Sequence, residues 1–134
     1  MNYTIDEGYL TKVTQELVRI NSTNPLLSPE GKGEADIAAY VADRLGEMGL
    51  DVKRSEIAPG RWNVVGTLKG MGGGRSLLLN AHMDTVGVDG MTSDPFSGEL
   101  REGRIYGRGA QDMKASLAAM LAAAKALVDA KIPL

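Results

Sequence analysis

The sequence predicts an α/β fold, a sheet with helices packed on it in three layers, and three observations carry that expectation. Apolar residues recur at helical spacing in two segments near the N-terminus. Leu77, Leu78 and Leu79 form an apolar run without alternation, as in a strand buried on both faces. Residues 114–130 are dominated by alanine, leucine and lysine, all strong helix formers. Helical and strand patterns that alternate along one chain define the α/β class.

In chain order, Thr4 followed by Glu7 has the spacing of a capping box, with Thr4 as N-cap. Leu10, Val13, Leu17 and Ile20 then mark one face of a helix over residues 5–20. Residues 21–33 (NSTNPLLSPEGKG) are turn-rich and read as a surface loop. A second helix is expected over residues 34–48, with Ile37, Val41, Leu45 and Met48 inward and Gly49 closing it. Residues 50–57 read as an edge-like strand and 62–68 as a second strand. The glycines between 70 and 74 then turn the chain into the LLLNA segment, expected to pair antiparallel with 62–68. A short hairpin is expected from 98–100 and 104–106 around Glu102-Gly103. The last helix, 114–130, is stopped by Lys131 and Pro133.

Composition narrows the function classes. The 134 residues suffice for one domain with a modest core, and 43% hydrophobic with 24% charged residues is the balance of a globular chain. A net charge of −2 gives no electrostatic reason for a nucleic-acid or anionic-membrane partner. The absence of cysteine excludes disulfides and thiolate ligands and fits a cytoplasmic setting. No signal peptide is visible at the N-terminus, and no apolar stretch is long enough to span a bilayer.

The chemistry-bearing stretch is residues 76–86, SLLLNAHMDTV. His82 is the only histidine, and it stands where a strand is expected to leave a sheet, the usual place for ligands in α/β folds. With Asp84 two residues on, it reads either as a metal ligand with its orienting carboxylate or as an ordinary hydrogen-bonded polar residue. Asp112, just before the last helix, reads either as a dipole-stabilising first-turn acid or as part of a site. Gly107 and Gly109 bracketing Arg108 point to a backbone forced close to a neighbour.

LLLNAHMDTVGVDGM, then DPF at 94–96 and GRGAQDMK at 107–114, resemble the co-catalytic zinc metallopeptidase and deacylase family. That family includes acetylornithine deacetylase, succinyl-diaminopimelate desuccinylase, aminoacylase and glutamate carboxypeptidases. NSTNP at 21–25 and WNVVG at 62–66 are similar to its N-terminal region, so the resemblance covers essentially the whole chain. It implies that His82 binds one zinc, that Asp84, the catalytic candidate, holds the imidazole, and that Asp112 bridges two Zn2+ or Co2+ ions. It also implies a cis peptide at Asp112–Met113. Ala81, Ala115 and Ser116 stand where many relatives have glycine, and all three are small.

The family's adjacent glutamate pair and second histidine have no counterpart here. The expectation is therefore a single domain, 1–134, forming the N-terminal part of a zinc-peptidase-like catalytic domain. Alone it is expected to bind metal weakly or not at all and to be inactive. The full-length protein would be a cytoplasmic, homodimeric hydrolase of amide bonds in N-acyl amino acids. A dipeptidase or carboxypeptidase acting on short peptides is the alternative within the family, and a non-catalytic truncated module the alternative outside it.

Overall fold

A computed structural model describes residues 4–131 and 134. The elements run α1 (Glu7–Arg19), α2 (Ala35–Glu47), β1 (Asp51–Ala58), β2 (Arg61–Thr67), β3 (Glu99–Arg101), β4 (Arg104–Tyr106) and α3 (Ala115–Asp129). Mixed α/β character holds, and each helix lies within a few residues of its expected place. Pro133, expected to help stop the last helix, lies outside the described residues.

The N-cap of α1 is Asp6, not Thr4. Its Oδ1 accepts from the Tyr9 backbone N–H at 2.8 Å. A carboxylate there satisfies an otherwise free N–H and also meets the positive end of the helix, which a threonine hydroxyl does less well. At the end of α2, Gly49 takes φ +81°, and its N–H donates to the Gly46 carbonyl at 2.8 Å. That left-handed closure is the one expected of a glycine after a helix.

The core is built chiefly by helices. Val13 and Leu17 of α1, Ile37 and Val41 of α2, and Leu117, Ala118 and Leu121 of α3 form one buried cluster. Val64 of β2 packs against it from the sheet side. The small residues of α3 have a use here, since Ala118 and Ala122 are buried where bulkier side chains would hold the helices apart.

The sheet expectation needs correction. Strands β1 and β2 pair antiparallel as a two-stranded ribbon from Asp51↔Thr67 to Ala58↔Arg61, and β3 and β4 form a second ribbon. Leu77, Leu78 and Leu79 join neither. They are 84%, 79% and 51% exposed, so the described residues show neither a strand buried on both faces nor a hairpin with β2. Apolar side chains mark what could be buried, but a strand also needs backbone partners and cover on its faces. Among the described residues these leucines have neither. The described residues form two two-stranded ribbons and show no sheet lying between two helical layers.

The one backbone pairing in this region lies beyond the leucines. Thr85 bridges Thr23 in parallel, its N–H donating to the Ser22 carbonyl at 3.0 Å while Asn24 N–H donates to the Thr85 carbonyl at 2.9 Å. This bridge anchors residues 80–86 to the loop after α1.

Candidate metal centre

His82 is presented by an extended segment whose neighbours face inward. Ala81 and Met83 pack against the helical core, and side chains of successive residues in extended chain point to opposite sides. His82 therefore turns outward, its side chain about half exposed at 47%, while the buried Thr85 locks the segment to the rest of the fold.

Asp112 arrives from the other direction through a tightly packed strap, residues 107–114. Gly107 has φ +146°, and a Cβ there would lie 2.3 Å from Val18 Cγ1. Gly109 has φ +77°, and a Cβ there would lie 2.6 Å from Thr85 Cγ2. Both positions thus require glycine on two counts, left-handed backbone and absence of room. Between them Arg108 N–H donates to the Pro95 carbonyl at 2.6 Å.

The strap ends in a wide π-type turn, Ala110–Lys114, in which Asp112 and Met113 leave helical dihedrals and their peptide bond is cis, as the family resemblance implies. Lys114 is 1% exposed, its Nζ donating to the Ile20 carbonyl at 2.7 Å. Burial pushes its amine down to about 8.

These two segments bring residues 82 and 112 together. His82 Nε2 lies 3.0 Å from Asp112 Oδ1, and His82 Nδ1 lies 3.0 Å from the Asp84 carbonyl and 3.3 Å from Asp84 Oδ1. Burial lowers the proton affinity of the imidazole. Its hydrogen bonds to Asp112 and Asp84 and their negative charge outweigh that, and the net direction is above the ordinary histidine value. The three side chains line a cleft of about 330 Å³ together with Leu27, Val86 and residues 107–111.

The donor set can be tested against a metal ion. Zinc takes imidazole nitrogen and carboxylate oxygen at roughly 2.0–2.2 Å, so two such donors 3.0 Å apart can share one ion. Asp112 is 87% exposed at its side chain and so is open to further partners. Asp84 lies against the opposite ring nitrogen and does not converge on the same point. Consistent with that, no group of three or more His, Cys, Asp or Glu among the described residues is arranged to hold an ion. The pair His82 and Asp112 fits the chemistry, and Asp84 fits the place of a group that fixes the ring.

Three residues missed in the sequence reading stand behind Asp84. Asn24 Nδ2 donates to Asp84 Oδ2 at 2.7 Å, Arg61 reaches Asn24 Oδ1 at 3.3 Å, and Arg61 Nε also donates to Glu34 Oε2. Asn24 lies in the NSTNP segment that carries part of the resemblance. Nothing in the local sequence around Glu34 or Arg61 connects either one to His82.

Comparison with known proteins bears on the same residues. Residues 78–134 match the family model described as Peptidase family M20/M25/M40. The chain is 38% identical over 122 residues to a succinyl-diaminopimelate desuccinylase of Methylorubrum extorquens, covering 87% of this chain and 30% of that protein. It is 34% identical over 130 residues to an N-formyl-4-amino-5-aminomethyl-2-methylpyrimidine deformylase of Bacillus subtilis, covering 90% of this chain and 30% of that one. A deformylase of the same name from Halalkalibacterium halodurans is 35% identical over 128 residues. The chain thus spans about 30% of the length of these curated relatives.

Proposed function

We propose that the whole protein is a member of Peptidase family M20/M25/M40, whose model residues 78–134 match, and a metal-dependent hydrolase of amide bonds in N-acyl amino acids. Its catalytic domain would place helices on both faces of a sheet to which residues 76–86 contribute. In this reading His82 ligates one metal ion, Asp112 is the carboxylate shared by two, and Asp84 orients the imidazole. The observation that carries it is the 3.0 Å approach of His82 Nε2 to Asp112 Oδ1 at the cleft, from positions thirty residues apart.

The residues present divide the work by chemistry. A ligating imidazole must keep its Nε2 lone pair free, so its proton has to sit on Nδ1, where the Asp84 backbone carbonyl accepts it at 3.0 Å and the negative Asp84 carboxylate lies 3.3 Å away. Asp112 brings negative charge to the cleft on a strap that Lys114 and the two glycines hold in place. When bound, a pair of divalent ions supplies an acidified water and polarises the acyl carbonyl. Two protein donors are too few for a two-ion site, and a general base contributes about 10²–10⁴-fold, so the 134-residue chain alone is assigned no hydrolytic activity.

The relatives narrow the bond more than the substrate. Succinyl is removed by one and formyl by the other, going by their names, and the bond broken in each joins an acyl group to nitrogen. An N-acyl amino acid of the acetylornithine or succinyl-diaminopimelate kind is the first reading. An N-formyl amine is the second, favoured by the match to two deformylases. A cytoplasmic location, two Zn2+ or Co2+ ions and a homodimer belong to this proposal as well. No helix among the described residues is long and apolar enough to cross a membrane.

Calorimetric titration of zinc into the 134-residue chain tests the site. Weak binding is expected, abolished in His82→Ala and weakened about 10–100-fold in Asp84→Asn. Identical isotherms for wild type and His82→Ala would refute the metal assignment.

A further inference from the structure

We propose that Asn24, Arg61 and Glu34 form a relay of positioning residues that sets the His82 ring through Asp84. The inference rests on the metal-site reading above and adds to it the part of the fold that holds the imidazole in its ligating form. Each link is explicit. His82 Nδ1 donates to the Asp84 backbone carbonyl at 3.0 Å with Asp84 Oδ1 3.3 Å away, and the Asp84 side chain is held from behind by the Asn24 amide, which donates to Oδ2 at 2.7 Å. Asn24 Oδ1 is oriented in turn by the Leu26 N–H at 2.9 Å and by Arg61 at 3.3 Å. These two donors decide the amide's orientation, because they require oxygen on their side and leave the NH₂ facing Asp84.

The far end of the relay is equally committed. Glu34 occupies the N-cap of α2, yet its side chain caps nothing there. Its carboxylate meets Arg61 Nε instead, and the residue is 6% exposed. A carboxylate withdrawn from both water and its helix end has to be satisfied by that guanidinium. The loop carrying Asn24 is further tied by Gly33 N–H to the Thr23 carbonyl at 3.0 Å and by the Asn24–Thr85 backbone bond. The ring is thereby connected to the start of β2 and the start of α2, two elements that do not touch the cleft.

The physical consequence concerns the ring proton. Asp112, on the Nε2 side, is largely exposed, so water competes for its hydrogen bond. Asp84, on the Nδ1 side, is about a quarter exposed and has one oxygen already fixed by Asn24. The relay favours the proton on Nδ1 and leaves Nε2 to ligate.

The discriminating variant is Asn24→Leu, which is close in shape but can neither donate to Asp84 nor accept from Leu26 and Arg61. Because His82 is the only histidine, ¹⁵N-edited spectra of the metal-free chain, taken where the ring is neutral, report its tautomer without overlap. Wild type is expected to hold the Nδ1–H form and Asn24→Leu, with Asp84 released, to move toward Nε2–H, with zinc affinity falling about threefold to tenfold. Glu34→Gln, which keeps the acceptor for Arg61, is expected to leave the tautomer as in wild type. A folded Asn24→Leu whose ring spectrum is unchanged overturns the relay. If Asn24→Leu does not fold, Arg61→Met decides on the same spectrum, an unchanged tautomer again being fatal. If wild type binds no zinc, the metal reading fails separately, and the tautomer alone judges the relay.

Discussion

Replacing Gly109 by alanine puts one methyl group where the strap crosses Thr85, and the cost can be worked from two terms. The residue sits at φ +77°, a left-handed conformation that costs an L-residue about 1–2 kcal/mol. The added Cβ also falls 2.6 Å from Thr85 Cγ2 and 3.3 Å from Lys114 Cδ and Cε. Thr85 is buried and bridged to Thr23, and Lys114 is buried and bonded to Ile20, so neither can withdraw freely. Overpacking of that kind costs about 1–3 kcal/mol, giving about 2–5 kcal/mol in all. Gly103 is the matched control, since its φ is +75° and a Cβ there meets nothing within 4 Å. Gly103→Ala should show only the conformational part. Urea unfolding of both variants beside wild type measures the difference. Equal losses for Gly103→Ala and Gly109→Ala would refute the claim that the strap is pressed against Thr85.

The remaining expectations follow from burial and ionisation. Leu78→Ser should change stability by no more than about 0.5 kcal/mol, because that side chain is 79% exposed. A loss of several kcal/mol on urea unfolding would mean that the leucine run is buried after all. Tyr40 is raised above its ordinary value of 10.0, first by burial and then by its hydrogen bond to Glu16, the hydroxyl donating at 2.6 Å. Its contribution is therefore present in full below pH 10 and lost as pH rises through the higher folded value. Urea midpoints measured at increasing alkaline pH should fall less steeply in Tyr40→Phe, and parallel curves would contradict the assignment.

Local pattern and tertiary packing contribute to this protein in different proportions at different places. Helical spacing located α1, α2 and α3, since the residues named for their inward faces, such as Val13, Leu17, Ile37 and Val41, are the ones the core buries. The β3–β4 hairpin was legible too, because Glu102 and Gly103 both take positive φ, as a two-residue hairpin turn requires. Gly107 and Gly109 signalled a close approach that the contacts with Val18 and Thr85 explain. The candidates His82, Asp84 and Asp112 were visible because residue type carries the chemistry of a site.

Their meeting was implied by the resemblance and by the glycine-rich strap ahead of α3, but the contacts that bring it about, the parallel bridge at Thr23 and Thr85 and the turn at Ala110–Lys114, arise only in the folded chain. Leu77 to Leu79 show the opposite failure. Their composition read as a buried strand, yet burial belongs to the surfaces around a segment and not to the segment itself. The same holds for Asn24, Glu34 and Arg61, ordinary polar residues in three separate stretches of chain. Hydrogen bonds between side chains act over about 3 Å whatever the separation in sequence, so only the folded chain decides which polar residues belong to the imidazole.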